Sequence, residues 1–463
     1  MIEQIRYKIN FEEIRKSFQF KETGGLTNSQ GKKYRLLPYK ANENNLVSNF
    51  KGVVGAFSRG ISNKEIKEKI DVNLFLDKVA EKIHDYENES SKEKFKDIIE
   101  TMFIDGDELV NFNIKALNYI YSTKQEENIA NFMISVLYSK DLDNGIHRLY
   151  NINKDNILYK SVLQSLPEIK EKSNEVEKYN CYLPFIKELF IKDFSFLMQN
   201  EETYKSYIKR FIEFYYMFYI TQLSIKLSQF QEADLTRPDL IYYTLDWEKT
   251  SKNRTAYRLG WQCLEPKVSD LFSHVITLEL LNHHGQEKQL GYIEIHELFR
   301  SLDENDVANE INQIIEIYKN QLGNDIDWDT LQHKDISTGN KGFDKVYYLF
   351  DVVKHQFKKS TRTRANDAYK NWFIKFAKEN FAKRRGQLGY NLNITEEDII
   401  FLTKVCIKNR EKIKLNLLFS EFEKRGVFFD KDSKERVIQL YEKLNILEKK
   451  SDSGDAQYVK SIL

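Results

Sequence analysis

Asp239, Asp246 and Glu248, followed by Lys249, come nearest to a reacting group in this chain, because paired carboxylates and a lysine can hold magnesium and activate water against a phosphodiester. Their spacing works against that chemistry. Glu248 and Lys249 are adjacent and would point to opposite faces of a strand, and Asp239 after Pro238 is equally well explained by a turn or a helix cap. Gly25 and Gly31, followed by Lys32, sketch a phosphate-binding loop, but five residues separate the glycines where that loop has four. Lys33 also stands where the magnesium-binding hydroxyl belongs. His283, His284 and His296 lie near Glu294 and Glu297 without the spacing of a zinc site. We expect no catalytic residue, no metal and no cofactor.

Phosphate contact is the second chemistry to weigh. Between Lys354 and Arg385 stand eleven Lys or Arg against Asp367 and Glu379 alone, a net of plus nine in thirty-two residues. Tyr369, Trp372, Phe373 and Phe376 recur at helical spacing there, with Lys375 and Lys378 opposite, so a basic face turns to solvent. The DNA-contact candidates are Lys358, Lys359, Arg362, Arg364, Lys375 and Lys378, with Lys383, Arg384 and Arg385 placed at the helix end. The plain alternative is a solvated face whose basic end complements its own helix dipole.

The elements that would position these residues are clearest after Thr395. Thr395 and Asp398 can cap a first helix, and a second runs from about Leu415 to Lys424 and stops at Gly426. A third opens at Asp432 or Ser433, burying Val437, Leu440, Tyr441 and Leu444 and leaving Glu435, Gln439 and Glu442 outside. Two strands follow, around Leu447–Lys450 and Tyr458–Ile462. This order predicts a winged helix, whose last helix can enter a DNA groove. Charge argues for protein docking instead, since residues 391–463 hold fourteen Lys or Arg and thirteen Asp or Glu. Lys434, Arg436, Lys443, Lys449 and Lys450 are therefore secondary DNA candidates.

The remaining text, from Asn63 to Phe230, is helical throughout, and Phe211–Ile225 reads as a buried aromatic helix too short and too polar to span a bilayer. We divide the 463 residues into a partly extended lead-in (1–60), a helical domain (61–235), an α/β-containing middle domain (236–350), the basic amphipathic helix region (351–390) and the winged-helix domain (391–463). Val275–Leu280 fits strand or helix, and Gly291–Ile295 is a possible hairpin arm. The fold class is mainly α with minor β, a multi-helical body and a C-terminal winged helix. With 71 Lys and Arg against 70 acids, the whole molecule carries no strong field, so nucleic-acid contact has to come from a local patch. Cys181, Cys263 and Cys406 form no CxxC pair, and the first residues carry no apolar signal core, so a reducing cytoplasm is expected.

Several strings resemble one family. Glu421-Phe-Glu-Lys-Arg-Gly-Val-Phe-Phe-Asp430 and Leu444-Asn-Ile-Leu-Glu-Lys-Lys-Ser-Asp-Ser-Gly-Asp-Ala-Gln-Tyr-Val-Lys-Ser-Ile-Leu463 are similar to the end of the DptG (DndG) family. Arg35-Leu-Leu-Pro-Tyr39, Gly52-Val-Val-Gly-Ala-Phe57, Asp246-Trp-Glu-Lys249 and Tyr257-Arg-Leu-Gly-Trp261 resemble it upstream. The resemblance implies a subunit of the bacterial restriction system that accompanies DNA phosphorothioation. In that system DptF, DptG and DptH proteins act together against unmodified double-stranded DNA, and nucleotide hydrolysis belongs to the companions. It implies DptF-like and DptH-like partners, no membrane, and a non-catalytic scaffold with DNA contacts. The alternatives are a metal-dependent nuclease subunit built on Asp239, Asp246 and Glu248, and a winged-helix transcription regulator.

Overall fold

The computed structural model describes residues 7–42, 44–66, 68–83, 85–151, 156–171, 178–358, 360–449 and 457–462. Helices dominate and the sheets are small. At the centre lies the helix Glu201–Leu227, started by Asn200, whose side chain accepts the Thr203 N–H at 2.8 Å. Every residue from Phe211 to Leu227 is buried, the charged Glu213 and Lys226 pairing with Arg210 and Asp239. Pro184–Leu197, Lys51–Ile61, Trp261–Ser269, Leu271–Leu281 and Ser360–Asn380 all pack on it. Among the described residues no helix is long and apolar enough to cross a membrane.

One hydrophobic core runs from Tyr7 to Val459 and draws on all five segments read from the sequence. A smaller cluster, built on Phe75, Ile99, Phe103 and Val162, stands apart from it. The lead-in is less extended than its composition suggested, because Lys51–Ile61 is a helix with nine buried residues. Gly55 makes that possible: a Cβ there would collide with the Ile120 carbonyl oxygen.

The glycine-bearing loop after Gly25 makes an anion nest filled from within. The backbone N–H groups of Gly31, Lys32, Lys33 and Tyr34 all donate to the Glu279 carboxylate, at 2.9–3.1 Å. Glu279 is fully buried on Leu271–Leu281, so the strand alternative for Val275–Leu280 gives way to helix. The hairpin arm expected at Gly291–Ile295 is also a helix, Tyr292–Arg300, because Gly291 donates its N–H to Glu294 Oε2 at 2.8 Å and starts a turn.

The C-terminal segment runs helix, strand, helix, helix, strand, strand. Its helices are Glu396–Ile407, Leu415–Lys424 and Lys431–Lys443. Its strands Lys412–Lys414, Leu447–Lys449 and Gln457–Lys460 form an antiparallel sheet with the last in the middle. The first of these strands was not legible beforehand. The third helix is capped by Asp430, not by Asp432 or Ser433: Asp430 Oδ1 accepts the Ser433 N–H at 3.1 Å. Leu444 ends outside the core because it caps that helix, whereas Val437, Leu440 and Tyr441 are buried.

Candidate nucleic-acid interface

The basic helix Ser360–Asn380 is held by Tyr369, Trp372, Phe373 and Phe376, all buried against the body. Tyr39 stacks on the Trp372 ring, and the indole N–H donates to the Lys40 carbonyl at 3.2 Å. With that stripe fixed, Arg364, Asn371 and Lys375 are exposed on one opposite face, spaced by seven and four residues.

Lys383, Arg384 and Arg385 do not prolong this helix. Phe381 closes it, and Ala382–Arg384 becomes a strand antiparallel to Tyr390–Ile394, the reversal being made by Gly386 and Gly389 at φ +57° and +74°. Tyr390–Ile394 in turn pairs in parallel with Thr244–Leu245. The strand alternation sends Lys383 and Arg385 toward Asp246 and leaves Arg384 exposed on the other side.

Many of the cations therefore have partners within the protein. Lys354 pairs with Asp270 at 2.6 Å, Lys370 with Asp367 at 2.7 Å, Lys378 with Glu265 at 3.5 Å and Lys383 with Asp246 at 2.5 Å. Lys378 also lies over the Tyr390 ring at 4.8 Å. Arg362 reaches the Leu26 carbonyl at 3.4 Å, Lys375 the Leu46 carbonyl at 3.4 Å, and Arg385 the Leu245 carbonyl at 2.8 Å. Lys358, Arg364 and Arg384 are exposed, with no side-chain partner among the described residues. Lys359 lies outside those residues. The helix Ser360–Asn380, whose two ends Lys358 and Arg384 flank in sequence, is about 30 Å long, the length of roughly nine base pairs.

Three of the secondary candidates have acid partners. Lys434 pairs with Glu423 at 3.1 Å, Lys443 with Glu396 at 3.7 Å and Lys449 with Glu442 at 2.6 Å, while Arg436 donates to Gln439 at 2.8 Å. Lys450 falls outside the described residues.

Buried ion pairs join the C-terminal segment to the body. Asp193, fully buried, accepts from Arg425 Nε and Nη2 at 2.7 Å and from the Tyr215 hydroxyl at 2.7 Å, with Lys408 Nζ 2.9 Å away. Arg210 grips Asp398, its Nη2 donating at 2.7 Å. Arg254 donates to Glu248 at 3.1 Å and also pairs with Asp430. Burial pushes the Glu248 carboxyl up against the pull of Arg254. At Asp430 burial also acts upward, but hydrogen bonds from Arg254 and from the Ser433 and Ala256 N–H groups outweigh it and hold the carboxyl below its ordinary range.

These contacts separate the carboxylates considered for a nuclease. Asp239 pairs with Lys226 at 2.8 Å, Asp246 with Lys383, and Glu248 with Arg254 and Ser433. Among the described residues no three His, Cys, Asp or Glu side chains converge as a metal site. Two neighbouring grooves of about 490 and 460 Å³ share Lys434 and Ile438 and flank the third helix of the C-terminal segment. The sequence matches no family model and no curated protein. Sequence reasoning missed Lys249, Lys252 and Arg258 as cations of this surface, although all three are exposed and without an ion pair among the described residues. Their signal in the sequence is a basic run, Lys249, Lys252, Arg254 and Arg258, lying between Trp247 and Trp261.

Proposed function

We propose that this chain is a non-catalytic, DNA-contacting scaffold subunit of a phosphorothioation-dependent restriction complex, working with DptF-like and DptH-like subunits. The observation that carries the DNA part is the set of exposed, unpaired cations Lys358, Arg364 and Arg384, on and at either end of the basic helix in sequence. Duplex phosphates are a dense array of negative charge, and cations without internal partners are the ones able to release counterions on binding. The membership of a defence system rests on the family resemblance of the C-terminal and upstream strings.

The C-terminal segment is read as a winged helix, supported by its order of helices and strands. Lys434, Lys443 and Lys449 are matched by acids, and its third helix presents Glu435, Gln439 and Glu442. A partner protein suits that face better than phosphate does.

Binding of the purified chain to unmodified duplex across a salt series tests the DNA part. A steep fall of affinity with salt is expected, and it should flatten by about 0.9 in log–log slope for each contacting cation removed among Lys358, Arg364 and Arg384. An unchanged slope in the folded triple Glu variant would refute DNA contact at this surface. For the scaffold part, Glu435→Lys with Glu442→Lys should reduce recovery of the partner subunits, and undiminished co-purification would count against docking there.

A further inference from the structure

Trp247 lies on a turn that is pinned on both sides of it. Leu245 is fully buried in the parallel strand pair. Asp246 donates its N–H to the Ile394 carbonyl at 3.1 Å and receives Lys383 Nζ at both its carboxylate and its carbonyl, at 2.5 and 3.1 Å. Glu248, 5% exposed, donates its N–H to the Leu245 carbonyl at 3.2 Å and accepts from Arg254 and from the Ser433 hydroxyl at 3.1 and 2.9 Å. Between these anchored residues the Trp247 side chain is 41% exposed. Among the described residues its indole N–H has no acceptor, and its ring has no aromatic or cation–π neighbour. The backbone is thus immobilised while the ring is left toward solvent.

The surroundings indicate what would cover that ring. The next residues, Lys249, Thr250, Ser251, Lys252 and Asn253, are polar or cationic, and both lysines are exposed without ion pairs among the described residues. Cores of protein interfaces are depleted of lysine, whereas sites for unpaired nucleotides combine an aromatic face with cations that track the backbone. Intact duplex keeps its bases stacked on one another and has no base face to offer. We propose that Trp247 is a stacking platform for an unpaired base of opened or single-stranded DNA, with Lys249 and Lys252 holding the flanking phosphates. This inference deepens the DNA-contact reading and rests on it.

The test is tryptophan fluorescence of the full chain titrated with single-stranded oligothymidylate, beside binding to a mixed-sequence duplex. Trp261 and Trp372 are shielded by burial, which leaves Trp247 the most exposed of the four tryptophans. Oligothymidylate should quench the wild-type signal, and Trp247→Leu should abolish most of that quenching. The same variant should bind the single strand on the order of 10-fold more weakly, with Trp247→Phe recovering most of the loss, because any aromatic ring can stack. Duplex affinity and thermal midpoint should stay at the wild-type value. Equal binding of oligothymidylate by wild type and Trp247→Leu, with duplex binding intact, would overturn the platform and leave the duplex reading standing. Absence of all DNA binding by the wild type would overturn both. Full single-strand affinity in Trp247→Leu together with lost recovery of partner subunits would make Trp247 a protein anchor and likewise overturn the platform.

Discussion

The basic helix region and the C-terminal segment both carry many cations, but the two use them differently. In the C-terminal segment several cations face inward or sideways, with Arg425 on buried Asp193, Lys434 on Glu423 and Lys443 on Glu396, while Lys414, Lys431 and Lys460 stay exposed. In the basic region no acid partner among the described residues is buried as Asp193 is, and Lys358, Arg364 and Arg384 remain open to solvent. Charge counted along a sequence is therefore a poor guide to charge available to a ligand. What matters is the remainder after each cation has found its internal acid, and that remainder depends on contacts between residues distant in the chain.

The largest expected effect is on stability. Arg425→Met would leave the Asp193 carboxylate buried with Lys408 as its remaining cation, and unfolding in urea should show a loss of roughly 3–5 kcal/mol. A loss below 1 kcal/mol would mean that this contact does not weld the segment to the body, and the contrast would weaken. Next comes affinity. Lys358→Glu, Arg364→Glu and Arg384→Glu together should cut duplex binding by an amount that shrinks with added salt, while the urea midpoint stays put. Lys434→Glu with Lys443→Glu, made in the C-terminal segment, should leave duplex affinity near wild type. Equal losses from both sets would erase the distinction.

Acid should act on the C-terminal segment through Asp430. Asp430 is held low in the folded protein, so its contribution to stability is present above the ordinary carboxylate value of 3.8 and is lost as pH falls through that value to the lower folded one. Asp430→Asn should flatten the fall of the urea midpoint over that interval, whereas the triple Glu variant made at neutral pH keeps the wild-type dependence on Asp430. The smallest effect belongs to Lys383→Ala. Its pair with Asp246 is more than 40% exposed on both sides, so the change should cost about 0–1 kcal/mol in urea.

Local signals in the chain were dependable where they involve neighbours. The Thr395–Asp398 box, the stop at Gly426 and the stripe from Tyr369 to Phe376 concern residues within a few turns, and all are found in the structure. Gly386 and Gly389 also mark a chain reversal in sequence, right after the basic Lys383–Arg385 run. Gly291 misled in the opposite direction, since glycine before a glutamate three residues on suits a helix start as well as a turn. The candidate interface was half legible. Its cations are evident from composition, but Lys383 meets Asp246 across 137 residues and Arg425 meets Asp193 across 232, distances over which no periodicity reports. Trp247 was visible as a residue, and only its two buried neighbours reveal that it is held outward.

The amide nest around Glu279 has a consequence for synthesis. Tyr34 and Glu279 are 245 residues apart, and a ribosome adding about 5–20 residues per second needs roughly 10 to 50 s to deliver the second after the first. During that interval the apolar stretch Leu36, Leu37 and Tyr39 has emerged without the helix that will fasten the loop before it. The amino-terminal segment is thus born early and seated late, and for those seconds it is a natural client for a chaperone.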